Sequence, residues 1–579
     1  MRINDVERIT GLSQKAIRLY ESKGLIVISR DDNGYRNYTD ENISALKKIK
    51  LLRSAGVSIA DIKLLLFGVM NIDEVMNKRK SEILKESGIN SEKYRICEII
   101  SEKGDIDDLK TAEKFTENEE ETENETYGEL SVGIDIGTTT VSAIVYDIDK
   151  KEPIETYTVP HNSYICSDTR SEQSVFVITD KAEKLLYHIL NSYKGIVSIG
   201  LTGQMHGIVY IDENGVPISN LINWQDKRSD IAFEDGTTAC GKIKRITGEH
   251  IAAGFGIATH YYNMLRGEVP NGAVGFCSIM DLFGMKICGL KRTVTHSSVA
   301  ASYGLFDVRD GKFMKDKLSL LGIGDNFLPR VTGESTVIGE CRGIPVSVAL
   351  GDNQASFLGS VGDNRDTLLV NIGTGSQVSA VCDNGGESLK SDGGAELRPF
   401  IDGKFLMCGS ALCGGFAYSM VEKFFRSYIT SAGMQDISQY KTINKLAEEA
   451  YNKGETGLDV NVTFFGKRSN PDLRGSIKGI DRQNFTPSAL VLGTLKGMCN
   501  ELYELYETFD EKKTRIVASG GAVKRNDVLK KLIADRFGMA VSLNTTDEDA
   551  AMGAALFSAY AARKIGSDGG FSEYIKYKY

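Results

Sequence analysis

Two short stretches carry residues suited to holding phosphate. In GIDIGTTTVSAIVYD (133–147), an apolar run ends in Asp135, Ile136 and Gly137, followed by Thr138, Thr139 and Thr140. Gly137 lacks a Cβ, so turn N–H groups can approach an anion closely. Successive turn N–H groups form a concave anion site, and the threonine hydroxyls add donors. Asp135 is unsuited to touching phosphate but well suited to a hydrated Mg²⁺. LVNIGTGSQVSAVCD (369–383) repeats the pattern, with Gly373, Thr374, Gly375 and Ser376 offering the same donors without the carboxylate. Either turn alone is an ordinary hairpin. As a pair they predict two similar halves gripping a polyphosphate from both sides. A third stretch, TRIVASGGAVKRNDVLKKLIADRFG (514–538), runs from an apolar strand through Gly520 and Gly521 into a helix capped around Asn526 and Asp527. The glycine pair would let adenine or ribose lie against backbone, and it would equally serve as a tight strand-to-helix connection.

These stretches must sit on a framework. The chain has 579 residues, which suggests about three or four domains, and its 41% hydrophobic and 25% charged residues describe an ordinary globular protein. From residue 130 onward, β-rich runs such as SVGIDIG, TLLVNIG and TRIVASGG alternate with helical stretches such as DKAEKLLYHILNSY. That alternation predicts α/β architecture. Residues 113–129, EKFTENEEETENETYGE, are acidic and have little to bury, so they predict a flexible linker. The ten cysteines form no CxxC pair; the closest, Cys408 and Cys413, lie in an apolar, Gly-rich run. They predict reduced core thiols and a cytoplasmic protein rather than disulfides or zinc. No apolar run reaches the roughly 18 residues that a membrane span needs, and the polar start MRINDVERIT is no secretory signal.

The first segment reads differently. Ile3, Val6 and Ile9 are expected to face inward from a first helix, Gly11-Leu12-Ser13 to turn, and Ser13 to cap a second helix over SQKAIRLYESKG. Gln14, Lys15, Arg18 and Tyr20 are expected to face outward near its start, as on a recognition helix. DDNGYRNYT then offers an Asn-Gly turn followed by Tyr35, Arg36 and Tyr38, which suits a wing touching phosphates. Residues 1–56 hold eleven Lys and Arg against seven Asp and Glu, whereas the whole chain carries a net charge of −9.

In order, DIGTTT, GLTGQMHGIV, WQDKRS, ALGDNQASFLGS, NIGTGS and SGGAVKRNDVLKK resemble the FGGY family of carbohydrate kinases over roughly residues 131–575. The resemblance implies a two-lobed, actin-like (ribonuclease H-like) α/β body, with an N-terminal lobe at 131–362 and a C-terminal lobe at 366–575. It implies phosphoryl transfer from ATP to a sugar hydroxyl, with Asp352 as the base that takes the hydroxyl proton. Read alone, an Asp after Gly is a helix N-cap. Asp135 and Asp352 together would hold Mg²⁺ against the ATP phosphates. Gly137, Thr138, Thr139, Gly373, Thr374, Gly375, Gly520, Gly521 and Asn526 would line the nucleotide. Gln204, Met205 and His206 match the ketose version of the sugar site, His206 as a donor to a sugar oxygen. Trp224, the single tryptophan, would pack on the sugar's C–H surface while Asp226 accepts hydroxyl protons. TGEHIAAGFGIATHYYNML (247–265) and THSSVAASYGLFD (295–307) are similar to the sedoheptulokinase branch more than to xylulokinases. The expected acceptor is therefore a ketose, sedoheptulose before xylulose.

GLSQKAIRLYESKGLI, GYRNYT and ALKKIKLLRSAGVSIADIKLLL resemble the MerR-family DNA-binding domain. That implies an all-α, winged helix-turn-helix over 1–70, a helical connector over 71–112, and double-stranded DNA as a partner. The family's pairing helix would fall at EVMNKRKSEILKES (74–87), giving a homodimer, although this stretch is short and Gly88 interrupts it. The acid Asp352 and both Gly-Thr turns favour a working kinase with a regulatory head over a kinase-shaped sensor.

Overall fold

The computed structural model describes residues 1–30, 36–86, 92–103, 127–167, 169–382, 394–467, 470, 472–566 and 570–578. The chain divides into two compact units, one of residues 1–128, 155–160 and 183–194, the other of 129–154, 161–182 and 195–579.

The first unit opens with helices Ile3–Thr10 and Gln14–Ser22, then Asp40–Ser54 and Ile59–Leu66. Their starts are written in the sequence. The Ser13 hydroxyl accepts from the Ala16 N–H, Ser58 from Asp61, and Thr39 forms a reciprocal capping box with Asn42. A two-stranded ribbon pairs Ser29–Arg30 with Arg36–Asn37. Three inside-outside expectations fail. Ile9 is 41% exposed, because at 100° per residue it lies off the stripe of Ile3, Val6 and Thr10. Tyr20 is fully buried; with Ala16, Ile17 and Leu19 it forms the inner face of its helix. Tyr38 is also buried, in the core rather than on a wing.

Helices Ile72–Glu86 and Glu92–Lys103 follow and pack on each other, and Val75, Met76, Ile83, Cys97 and Ile100 are buried. In the expected pairing stretch Val75, Met76 and Ile83 are thus buried within the chain, whereas Leu84 is exposed. The expected acidic linker lies almost wholly outside the described residues. The same unit takes in segments 155–160 and 183–194. There Glu155 accepts from Tyr157 at 2.8 Å, from Lys63 at 3.4 Å and from Tyr193.

The second unit is built on two seven-stranded sheets. In the first, strand Leu130–Ile136 pairs antiparallel with Thr140–Asp147 and parallel with Ile196–Gly203. In the second, Thr367–Ile372 pairs antiparallel with Ser376–Cys382 and parallel with Arg515–Ser519. The echo in sequence is thus an echo in topology: hairpin plus parallel neighbour, twice. Helices Asp352–Val361 and Asp549–Ala561 pack against each other at the centre. Glycine makes the approach possible. A Cβ on Gly553 would sit 1.9 Å from the Ala355 carbonyl oxygen, and one on Gly359 2.0 Å from that of Asp549. The second helix also lies on the first sheet, where Cβ atoms on Gly133 and Gly200 would strike Ala551 and Ala554. No helix among the described residues is long and apolar enough to cross a membrane, and every cysteine whose side chain is described is free.

Candidate active site

The register brings three chain segments to one place. Gly203 pairs with Ile136 on one side and, through the parallel strand Leu350–Gly351, with Gly351 on the other. The residues that follow these three parallel strands are the Gly137–Thr140 turn, Gln204–His206, and Asp352 at the start of its helix. Ligands of open α/β sheets sit beyond such carboxyl ends. In the second sheet the equivalent ends carry the Gly373–Gly375 turn and Gly520. Gly520 holds φ +92°, and its missing Cβ lets backbone pass where an added atom would lie 2.4 Å from the Ile372 carbonyl oxygen.

Asp135 and Asp352 are both half-buried carboxyl groups. Burial, then the negative charges of Asp352 and Glu548, push Asp135 up to about 7. Burial pushes Asp352 up to about 6, against the lowering pull of the Asn353 N–H and the Arg398 guanidinium. Asp352 Oδ1 accepts from the Asn353 backbone N–H at 2.6 Å and from Asn353 Nδ2 at 3.0 Å. Asp135 Oδ1 is buried with no hydrogen-bond partner. An unpaired acceptor beside a second carboxylate suits a divalent cation held mainly through water and phosphate. No group of three or more His, Cys, Asp or Glu that could cage a metal occurs among the described residues.

Of the residues expected to line the sugar, one has its role corrected, Asp226. His206 sits at φ +71°, a left-handed backbone rare for a non-glycine residue, and its N–H bonds Ser302 Oγ at 3.0 Å. Its Nδ1 lies 2.8 Å from the Ser302 carbonyl oxygen. A carbonyl only accepts, so Nδ1 donates in that bond. The ring packs 4.4 Å from that of Phe255, which stands in the GFG stretch. Met205 is buried, with Sδ 3.8 Å from Asn353 Nδ2. Trp224 is 46% exposed, and its indole N–H reaches Thr138 Oγ1 at 3.1 Å.

Asp226 is buried and its acceptor positions are filled. Oδ1 takes the N–H and Nε of Arg228, and Oδ2 takes the Ser171 N–H and Arg228 Nη2. It therefore braces the loop under Trp224 rather than accepting from sugar. Arg228, itself buried, extends the brace to Glu172 at 2.6 Å and Asn263 at 3.2 Å. Asn526 is likewise occupied, capping its helix at the Leu529 N–H and donating to Asn444. Gly521 begins a short helix to Lys524.

Sequence reasoning passed over Asn353, Arg398, and the pair Gly414–Gly415. The last holds the second turn: the Gly415 and Phe416 N–H groups donate to the Gly373 and Thr374 carbonyls at 2.9 and 3.1 Å. Its signal was present, since CGG at 413–415 follows a strand as SGG does at 519–521.

In the head, Lys15 and Arg18 are exposed and Gln14 half-buried, donating to Asn4 and Glu7. Arg36 pairs with Glu21 at 2.6 Å. Tyr35 lies outside the described residues.

A family model described as the FGGY family of carbohydrate kinases, N-terminal domain, matches residues 130–369. Its C-terminal counterpart matches 373–562. The MerR HTH family regulatory protein model matches residues 1–67. The mouse (Mus musculus) sedoheptulokinase is 25% identical over 467 residues, covering 74% of this chain and 96% of its own length. A Bacillus subtilis gluconokinase is 24% identical over 475 residues, covering 77% and 90%. The ligand-bound xylulose kinase of Lactobacillus acidophilus shares the fold, with a TM-score of 0.65 at 18% identity over 78% of this chain and 93% of that one.

Proposed function

The chain belongs to the FGGY family of carbohydrate kinases and carries a MerR-family head, and we propose that it transfers the γ-phosphoryl group of ATP to a ketose, sedoheptulose foremost. The observation that carries this reading is the half-buried Asp352, set at the end of Leu350–Gly351, one strand removed from the strand of Asp135. Its Oδ1 is held by Asn353, leaving Oδ2 to take the proton of the attacking hydroxyl. As the new O–P bond forms, the bond to the leaving ADP oxygen breaks and negative charge moves onto ADP. The N–H groups and hydroxyls of the Thr138–Thr140 and Gly373–Gly375 turns meet that charge from both sides. A divalent cation bound through Asp135 and Asp352 would neutralise phosphate charge.

On the sugar side, Trp224 offers its face to C–H groups, and His206, its Nδ1 held by Ser302, faces the sugar. The GFGIAT stretch, joined to the ketose-type QMHG by the His206–Phe255 contact, favours sedoheptulose over xylulose. The head binds double-stranded DNA through Lys15 and Arg18, and links sugar status to transcription.

The test is ADP release by the full chain with Mg-ATP and a panel of ketoses and gluconate, beside Asp352→Asn. Turnover led by sedoheptulose and lost in the variant supports the whole reading. Preference for another acceptor corrects the sugar alone. Sugar binding without turnover overturns the enzyme in favour of a sensor.

A further inference from the structure

The carbonyl oxygens of four consecutive residues around the first phosphate turn are all engaged. Ile136 O accepts from the Gln204 N–H at 2.9 Å, and Thr139 O from the His161 N–H at 3.1 Å. Gly137 O accepts from His161 Nε2 and from Gln204 Nε2, both at 3.2 Å. Thr138 O accepts from Gln173 Nε2 at 2.8 Å.

The three side chains also hold one another. Gln204 Nε2 donates to Gln173 Oε1 at 3.0 Å, Gln173 Nε2 to Ser163 Oγ at 3.3 Å, and Ser163 Oγ lies 2.8 Å from His161 Nδ1. The protonation pattern follows without choice. Gly137 O can only accept, so His161 Nε2 carries the proton and Nδ1 takes the Ser163 hydroxyl. Burial lowers the His161 pKa, which keeps the ring in that neutral form. His161, Ser163, Gln173 and Gln204 are all buried.

Peptide planarity turns this clamp into aim. The C=O of one residue and the N–H of the next lie antiparallel in one rigid plane. Pinning the carbonyls of Gly137, Thr138 and Thr139 therefore sets the N–H vectors of Thr138, Thr139 and Thr140. The pinned Ile136 carbonyl sets the Gly137 N–H, which closes the turn on Thr140 O at 2.9 Å. Donors fixed before the anion arrives need no reorganisation when it does.

We propose that His161 and Gln173 are positioning residues of the phosphate turn, joined through Gln204 to the sugar-side loop in one hydrogen-bonded clamp. Neither touches substrate; both act by aiming three backbone N–H groups. This rests on the reading that the turn at 137–140 holds ATP phosphates.

The experiment is a Mg-ADP titration of the full chain, followed by calorimetry and by the emission of Trp224. That residue is the only tryptophan, and it is bonded to the turn at Thr138. His161→Leu, which removes the donor, is expected to raise the Kd for Mg-ADP and the KM for ATP at least tenfold. The KM for sugar should change less than threefold. His161→Gln, which returns an N–H near the position of Nε2, is expected to bring the Kd back to within threefold of the parent. Should His161→Leu fail to fold, Gln173→Glu gives the same reading, because it sets a carboxylate oxygen against Thr138 O. Mg-ADP affinity within twofold of the parent in a folded donor-less variant overturns the inference while leaving the nucleotide site in place. A parent chain that binds no Mg-ADP overturns the site and the clamp with it.

Discussion

Trp224 donates its indole N–H to the hydroxyl oxygen of Thr138 at 3.1 Å. In the proposed reading, the aromatic wall of the sugar side thus rests on the turn that would face the nucleotide. Because Thr138 Oγ1 accepts that bond, its own proton is free for a phosphate oxygen. Thr138→Val keeps the shape and removes both bonds. The expected result is a rise in KM for both sugar and ATP, each by about tenfold for a lost hydrogen bond in a closed site. Steady-state kinetics with each substrate varied in turn will show it, and an effect on ATP alone would separate Trp224 from the turn.

Asp352→Asn preserves the size of the side chain and removes the base. The expected loss in kcat is about 10² to 10⁴-fold, with the Kd for sugar within a few-fold of the parent. Single-turnover ADP release and calorimetry, run on the same preparation, read the two quantities separately. Unaltered turnover would rule out Asp352 as the base.

Asp352 must be ionised to accept a proton, and burial holds it up to about 6, with Asp135 up to about 7. Activity is therefore present above this range and lost as pH falls through it. The two groups titrate as a pair, so the acidic limb of kcat/KM belongs to both. Asp135→Asn removes one of the charges facing Asp352, and is expected to move that limb to lower pH while weakening the dependence on divalent cation. A pH-rate profile at saturating Mg²⁺ is the measurement.

Gly553→Ala tests the helix crossing. A Cβ there would lie 1.9 Å from the Ala355 carbonyl oxygen, on the same helix that carries Asp352. Backbone cannot swing aside as a side chain does, so the expected cost is about 1–3 kcal/mol or more. Differential scanning calorimetry should show a lower Tm, with activity reduced beyond the loss of folded protein.

Arg18 and Tyr20 stand two residues apart with opposite exposure. Arg18→Ala is expected to weaken binding to double-stranded DNA and to lower the salt slope by about 1, leaving Tm unchanged. Tyr20→Ala is expected to lower the stability of the head instead. Fluorescence anisotropy across a salt series, together with thermal melts, distinguishes them.

Much of the fold was legible because its signals are local. Ser13, Thr39 and Asn526 announce helix starts with their own side chains. The Ile-Gly-Thr turns mark hairpins wherever they occur. Errors arose where a residue has two faces to choose between. Ile9 and Tyr20 are both apolar enough to be buried, yet only helical phase against the neighbouring helices decides which one is. Asp226 and Asn526 read as ligand residues from their place in a motif, whereas their hydrogen bonds are spent on Arg228, Ser171 and a helix end. Nothing in sequence records how many of a carboxylate's lone pairs are already taken.

The sequence by itself determined the kinds of chemistry available: an acid for a base, two donor-rich turns, a single tryptophan, a basic recognition helix. It did so because residue type and short spacing suffice for turns, caps and strands. Tertiary structure alone decided which atoms remain free for a ligand. Gly203 bridges Ile136 and Gly351 in register, so that Asp135, Gln204 and Asp352 emerge at one edge from positions far apart in the chain. The same packing points His206 Nδ1 at the Ser302 carbonyl. It also ties the carbonyls of residues 136–139 to His161, Gln173 and Gln204. Such assignments depend on partners brought in from distant segments, and only the folded chain sets those partners side by side.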